Sequence, residues 1–388
     1  MTTTGMSTSI LVVDDSSFNR LLLKRRLSEL GYPEPEMAVD GREALAAIAA
    51  RRFDVMLLDL EMPELDGIGV LEALHGQPHA PPVIVISAQT EMSGVIRCIE
   101  LGAEDYLPKS FDPPLLRARL AAVLEKKRLR DLADERLAAL EAELESARRA
   151  QLSLVPRDFA GLSRGAITVA AHMEPAREVG GDLYDILPLG QHHLMFVVAD
   201  VAGKGASAGM TMARAFGLLR AAARLADAAG TLPDPGALLA TANEDLAADN
   251  EDMTFITAAL GIVDTRDGSG RIAVAGHEAP LLLGPAGVET LGGWRIQPAL
   301  GIIEGLAYAS APFALAPGQG LLLLSDGVTE AQDHAGALFG KERVVAALAG
   351  QAEPAPAIAT LLAAVAGFVD GAPAADDVTV LALRRAAT

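Results

Sequence analysis

The stretch GLLLLSDGVTE (320–330) joins four consecutive leucines to a turn carrying Ser325, Asp326, Gly327, Thr329 and Glu330. A buried strand that ends on Asp-Gly is ordinary turn chemistry. The extra hydroxyls and the second carboxylate are more than a turn requires. A related stretch, ADDVTVLAL (375–383), sets Asp376 and Asp377 directly before another apolar run. Each alone reads as a strand edge with a carboxylate. Together they raise the question of whether aspartates elsewhere complete a cation site.

Two further turns share the style, EVGGDLYD (178–185) and VVADVAGKG (197–205). Their glycines permit close backbone approach. Four Asp-bearing turns, three at the edge of an apolar run, favour a carboxylate-rich cation site over four unrelated caps. Around them, AITVAAHM (166–173), HLMFVVAD (193–200), TFITAALGIVD (254–264), RIAVAGHE (271–278) and VTVLALR (378–384) read as strands between glycine turns. Ala-rich helical stretches lie at 206–229, 235–248 and 341–369. Many strands with few helices predict an α+β domain, with helices packed on antiparallel sheets.

The first third of the chain reads differently. SILVV (9–13), MAV (37–39), DVMLLD (54–59), PVIVIS (82–87) and EDYLPK (104–109) are short strand patterns separated by helical ones, as in GREALAAIAA (41–50). That alternation predicts a parallel sheet covered on both faces, with functional groups at the carboxyl ends of its strands. Those ends carry Asp14 and Asp15, Asp59, Ser87 and Lys109. The set fits acyl-phosphate chemistry. Asp59 would be the nucleophile. Asp15, Asp59 and a backbone carbonyl near Glu61 would hold Mg²⁺, with Asp14 helping through water. Lys109 and Ser87 would meet phosphate oxygens.

Residues 112–152 form a charge-laced helical stretch in which Ala133, Leu137, Leu140, Leu144 and Ala147 step as a heptad seam does. A solvent-exposed linker helix and a two-stranded coiled coil both fit. The 388 residues suffice for two domains and a connector. A net charge of −19 argues against nucleic acid or an anionic membrane as partner. The single cysteine, Cys98, lies in an apolar helical pattern and reads as a buried structural thiol. With no disulfide framework, no signal pattern and no membrane-length apolar run, a cytoplasmic location is expected.

ILVVDDSS, LLDLEMPELDG, VIVISA and DYLPK together resemble the receiver domain of two-component response regulators over about 9–124. The resemblance implies that a histidine kinase or phosphotransfer protein modifies Asp59. It also implies that Ser87 and Tyr106 move as a switch pair. One departure is Ser110 after Lys109, where the family has a cis proline; a cis bond before a non-proline costs roughly 2.5–4 kcal/mol.

The second half resembles the metal-dependent (PPM, type 2C) serine/threonine phosphatases of the SpoIIE/RsbU-like branch over about 153–385. LVP (154–156), VGGDLYD, DVAGKG, GHEAPLLL (276–283), PALG (298–301), SDGVTE and DDVT carry the likeness. It implies two Mn²⁺ or Mg²⁺ ions bridged by Asp200. The Val201 carbonyl would bind one, Asp326 and Asp376 would complete the other, and Asp182 would act as ligand or hold bound waters. Asp377 would support the site without touching the cations. Arg177 and Lys204 are candidates for substrate phosphate, and His277 reads as structural.

The expected architecture is multidomain. It comprises a doubly wound α/β receiver with a five-stranded parallel sheet (1–124), a helical, optionally coiled-coil linker (125–152), and an α+β phosphatase β-sandwich flanked by helices (153–388). Phosphorylation of Asp59 would control the phosphatase, with a homodimer expected. The resemblance implies a phosphorylated STAS-domain anti-anti-sigma protein as substrate. The competing reading is a catalytically silent adaptor that binds a sigma-factor regulator. Loss of metal-ligand aspartates would mark that route, and here all four remain.

Overall fold

A computed structural model describes residues 8–88, 92–177, 179–248, 250, 253–293 and 297–387. Residues 1–7 and Glu178, the first residue of EVGGDLYD, lie outside the described residues. The chain divides into two compact units, Met1–Leu140 and Glu141–Thr388.

The first unit alternates β1 (Ile10–Val13), α1 (Ser17–Glu29), β2 (Glu36–Ala38), α2 (Gly41–Ala50), β3 (Val55–Leu58), α3 (Gly67–Leu74), β4 (Val83–Ser87), α4 (Met92–Glu100) and β5 (Asp105–Pro108). The strands form one parallel sheet in the order β2-β1-β3-β4-β5. Period-two alternation divides their side chains between two layers. Leu11, Val13, Met56, Leu58 and Val85 face Val70, Leu71 and Cys98 of α3 and α4. Ile10, Val12, Val55, Leu57 and Ile84 pack with Leu23 and Leu27 of α1. Burial on both faces is why these strands are continuously apolar in sequence. Cys98 is fully buried, as its helical pattern predicts.

The 40-residue helix α5 (Pro113–Leu152) starts on Pro113 and Pro114, which suit a first turn because proline lacks only an N–H that has no partner there. Its first turns bury Leu116 and Leu120 under the parallel sheet. Leu137 and Leu140, two positions of the heptad seam, are exposed. Its last residues belong to the second unit.

The second unit continues with α6 (Phe159–Leu162), β6 (Ile167–Glu174), β7 (Leu183–Leu189), β8 (His193–Val201), α7 (Ala206–Ala228), α8 (Pro235–Ala247), β9 (Ile256–Asp264) and β10 (Ser269–Ala275). Then come β11 (Leu281–Gly284), β12 (Gly287–Thr290), β13 (Ala311–Ala314), β14 (Gly320–Leu324), α9 (Asp326–Thr329), α10 (Gly340–Leu348), α11 (Pro354–Val369) and β15 (Val378–Arg385). Two antiparallel five-stranded sheets result, ordered β13-β10-β9-β8-β7 and β12-β11-β14-β15-β6. Leu321, Leu323, Leu381 and Leu383 face the first sheet, whereas Leu322, Leu324, Val380 and Ala382 face α10 and α11. The leucine run at 321–324 is thus a strand buried on both faces.

Two sequence expectations change. The helical stretch 341–369 is two helices, parted where Gly350 takes φ 74° and Pro354 opens the next helix. LYDILPL, read only as part of an aspartate turn, is the strand β7. Its Pro188 is tolerated because β7 is an edge strand. Among the described residues, no helix is long and apolar enough to cross a membrane.

Among the described strand glycines the closest approach is at Gly261, where an added Cβ would lie 2.2 Å from the Phe196 ring. Gly261→Ala is expected to cost roughly 1–3 kcal/mol by overpacking, read as a lower urea midpoint. Adding Phe196→Leu should recover part of that loss.

Candidate functional site

In the first unit, β1 and β3 are neighbours in parallel register, so the residues that follow them meet at one sheet edge. Carboxylate oxygens of Asp14, Asp15 and Asp59 lie within 4.8 Å of one another. Asp59 is buried, and Lys109 Nζ stands 2.6 Å from its Oδ2 and 3.4 Å from Asp14 Oδ2. Burial pushes the Asp59 carboxyl above the usual range, against the opposing pull of Lys109. Two carboxylates beside one lysine leave uncompensated negative charge, which a divalent cation suits. Asn19, which the sequence reading passed over, donates to both Asp14 oxygens at 3.1 Å. An Asn five residues after the Asp, in the first turn of α1, was the available signal.

Ser87 is fully buried at the end of β4, and its carbonyl accepts from Lys109 N at 2.9 Å. Tyr106 is half-buried on β5 in register with Val85. Glu61 is exposed on the loop after β3. Gly67 is required by contact, since a Cβ there would lie 2.3 Å from the Asp59 carbonyl oxygen. No peptide bond among the described residues is cis, so Lys109–Ser110 is trans.

In the second unit, the four aspartate turns come from strand ends and their connections. Asp200 sits in β8 opposite Thr257. Asp182 immediately precedes β7, Asp326 opens α9 after β14, and Asp376 lies just before β15. Asp182 is buried, and Asp200, Asp326 and Asp376 are half-buried. Burial and the neighbouring Asp200 push the Asp182 carboxyl well up. Burial, Asp326 and Asp376 push Asp200 up to about 7. Burial, Glu330 and Asp376 raise Asp326. Asp200 thus raises Asp182, Asp326 raises Asp200, and Asp376 raises both Asp200 and Asp326, while Lys204 stands 2.9 Å from Asp376. Carboxylates crowded and partly desolvated in this way fit divalent cations held by oxygen ligands.

Asp377 behaves unlike its neighbour. It is buried, and its carboxylate accepts from Ala176 N at 2.7 Å, Gly181 N at 2.6 Å and Asp182 N at 3.3 Å. Asp377 thus shapes the loop that presents Asp182. The opening puzzle of SDGVTE resolves here as well. Ser325 Oγ donates to Asp182 Oδ2 at 2.8 Å, and Thr329 Oγ1 donates to the Asp326 carbonyl at 3.0 Å. Gly327 is forced, because a Cβ there would lie 2.0 Å from the Asp377 carbonyl oxygen.

Val201 is buried, and its carbonyl oxygen lies 2.8 Å from where a Gly181 Cβ would be. Lys204 is on Asp376 and the Ala375 carbonyl. Arg177 is exposed, and its neighbour Ala176 donates its N–H to the Asp377 carboxylate at 2.7 Å. His277 Nδ1 lies 2.8 Å from Thr257 Oγ1, and burial pushes its pKa down to about 4, which keeps it neutral. A cavity of about 360 Å³ adjoins Asp326, lined by Thr257, His277, Glu278, Gln297 and Lys341. Sequence reasoning also missed the bidentate pair of Arg220 with buried Asp185, at 2.6 and 2.7 Å, which ties α7 to β7. The second Asp of GGDLYD was its only trace.

Comparison with known proteins follows the same division. The family profile of Stage II sporulation protein E (SpoIIE) matches residues 190–386, and that of the response regulator receiver domain matches residues 10–121. The response regulator MprA of Mycobacterium tuberculosis is 43% identical over 129 residues, 33% of this chain and 56% of the relative. The chain thus spans about half the length of the curated relatives it matches. The solved SiaA-PP2C domain of Pseudomonas aeruginosa shares the fold of the second unit, with TM-score 0.54 and 23% identity over 64% of this chain and 98% of that one. The PP2C domain of SpoIIE from Bacillus subtilis, with a fragment of its regulatory domain, gives TM-score 0.49 at 21% identity, covering 57% and 64%.

Two predictions follow from the crowded carboxylates. Asp200 has a folded pKa raised from 3.8 to about 7. The folded chain then holds a proton that the unfolded chain has released, so metal-free stability should fall as pH rises through that window. Thermal melts without metal should drop from about pH 5 to about pH 8, and Mn²⁺ should flatten the trend; a metal-free melt that rises instead would contradict the geometry. Neighbouring substitutions should also separate. Asp377→Ala strands three backbone donors and should cost about 3 kcal/mol or more in denaturant unfolding. Asp376→Ala should leave stability nearly unchanged while weakening Mn²⁺ binding measured by calorimetry.

Proposed function

The chain belongs to the SpoIIE family and carries a response regulator receiver domain, and from that premise we propose a phosphorylation-controlled, metal-dependent protein serine/threonine phosphatase. The observation that carries the reading is the set of mutually repelling carboxylates, Asp182, Asp200, Asp326 and Asp376, beside a cavity open to substrate. The receiver occupies 1–124, the linker 125–152 and the phosphatase 153–388.

Two divalent cations, Mn²⁺ or Mg²⁺, would supply a water-derived nucleophile at neutral pH and offset the charge of the phosphoryl group. Asp200 with the Val201 carbonyl, Asp326 and Asp376 would hold them, and Asp182 would act as a further ligand or hold bound waters. Ser325 fixes the Asp182 carboxylate, and Asp377 fixes its backbone. Lys204 takes up part of the negative charge through Asp376 and is the phosphate-contact candidate. The cavity beside Asp326 receives the seryl or threonyl segment of the substrate. Arg177, exposed and next in sequence to Ala176 on the Asp377 carboxylate, is a second phosphate-contact candidate.

In the receiver, Asp59 would accept a phosphoryl group from a histidine kinase or phosphotransfer protein, and Asp15, Asp59 and the backbone near Glu61, assisted by Asp14, would hold Mg²⁺. Lys109 already stands on the accepting carboxylate. Ser87 and Tyr106 answer the new charge. The change reaches the phosphatase through the linker helix, in a homodimer. The substrate class is a phosphorylated STAS-domain anti-anti-sigma protein, which rests on kinship with SpoIIE-type proteins.

The test is Mn²⁺-dependent hydrolysis of an aryl phosphate by the full chain, with and without beryllofluoride, and by Asp326→Asn. Wild type should turn over only with metal. Asp326→Asn should lose more than about a hundredfold, beyond what loss of a supporting residue costs at metal sites. Beryllofluoride should change the wild-type rate. Absence of turnover on both the aryl phosphate and a phosphorylated STAS protein would favour the silent adaptor.

A further inference from the structure

Ser325, Gly327 and Thr329 of SDGVTE each have a structural reason at the site, and Glu330 is left over. It is exposed, and its charge raises the Asp326 carboxyl. It lines the cavity of about 360 Å³ beside Asp326, together with Glu278 and Lys341. With Asp326 committed to the divalent cations, two carboxylates there face one ammonium. His277, in the same lining, adds no charge, since burial keeps it neutral.

The ammonium is loosely placed. Lys341 opens α10 beside Gly340, and its Nζ stands 2.6 Å from Glu278 Oε2. Its side chain is 70% exposed, against 26% for Glu278. An ion pair held by so exposed a lysine contributes little and breaks easily. A guanidinium presents a planar fork of donors to a carboxylate and is held more firmly in the same contact. The rest of the lining suits the stem of a long side chain. Val274, Gly276 and Ala279 are small or apolar. The aliphatic part of an arginine or lysine lies well along such a surface while its charged tip reaches an acid. Two features besides acidity therefore point to a cationic guest, the apolar-walled cavity and the chain's own ammonium already seated on Glu278.

The position of the cavity ties its occupant to the reaction. Asp326 forms part of its wall, and so does Thr257, the register partner of Asp200. A side chain seated there belongs to a residue near the phosphorylated one in the substrate chain. An acidic side chain in the same space would meet Glu278 and Glu330 and be repelled.

We infer that this cavity is a specificity subsite for an arginine or lysine side chain close to the phosphoserine or phosphothreonine, held by Glu278 and Glu330 once Lys341 is displaced. This deepens the phosphatase reading and rests on it for its substrate.

The experiment uses the full chain with Mn²⁺ and phosphoserine peptides in which arginine, citrulline, glutamate or alanine occupies each flanking position in turn. Phosphate release gives kcat/KM. The best-placed arginine should exceed alanine at that position by about tenfold or more, the scale of a hydrogen bond to a charged group. It should also exceed citrulline, which keeps the shape without the charge, and glutamate should be poorest. The arginine-to-alanine ratio should fall towards one in Glu330→Gln and in Glu278→Gln, and rise in Lys341→Met, which removes the internal competitor. That ratio is the readout, whatever these changes do to the rate common to both peptides. Arginine no better than alanine at every position would overturn the inference. So would a preference for glutamate, which would make Lys341 the anchor of an acidic substrate. A ratio unmoved by both glutamate substitutions would overturn it too, and loss of a bound Mn²⁺ ion with them, seen by calorimetry, would mark the cavity as a cation site instead. If no peptide is hydrolysed, fluorescence anisotropy of the same peptides decides, with tighter binding of arginine keeping the subsite and equal binding removing it. Absence of aryl phosphate turnover as well would remove the phosphatase reading separately.

Discussion

Like-charge crowding at strand ends is the constraint on which this molecule depends. Asp200 raises the pKa of Asp182, and Asp326 and Asp376 raise that of Asp200, in surroundings that solvate charge poorly. A fold does not bring carboxylates together without compensation. The compensation is visible in the sheet sandwich. β14 and β15 are buried on both faces and fix where Asp326 and Asp376 emerge. β8 does the same for Asp200. The apolar core supplies the stability against which the repulsion is held.

The receiver repeats this solution on an unrelated fold. There, too, apolar strands end on aspartates, and a lysine stands against them before any cation does. Lys109 lies 2.6 Å from Asp59, and Lys204 lies 2.9 Å from Asp376. In both places a glycine is set by contact with the backbone beside an aspartate, Gly67 against the Asp59 carbonyl and Gly327 against the Asp377 carbonyl. A flexible ammonium can hold an acidic site together and still give way to a harder, doubly charged ligand.

Much of this was legible because the informative residues are local. Apolar runs ending on Asp reveal both the strand and the group at its end, so Asp14, Asp59, Asp200 and Asp326 could be read from spacing. What escaped is non-local. Ser325 on Asp182 and Gln151 on Gly180 act through partners 143 and 29 residues away in sequence. An isolated Gln, Ser or Asn carries no periodic signature. Strand β7 was missed for the opposite reason, since Asp185 and Pro188 make an edge strand look like a turn.

The way the Asp182 segment is held bears on how a distant signal can act. A site made of mutually repelling groups is sensitive to small displacements, because its cation affinity depends on all ligands being presented together. Asp377 and Ser325 hold the segment from within the sheet sandwich, whereas Gln151 and Pro156 hold it from the chain at the end of α5. The first pair is tied to the core, and the second to the one helix that also packs on the receiver sheet through Leu116 and Leu120. Tenfold differences in cation affinity correspond to about 1.4 kcal/mol, comparable to one or two buried hydrogen bonds. The paired hydrogen bonds at Gly180 are on that same scale, and they are separate from the sheet pairing that places the other three aspartates.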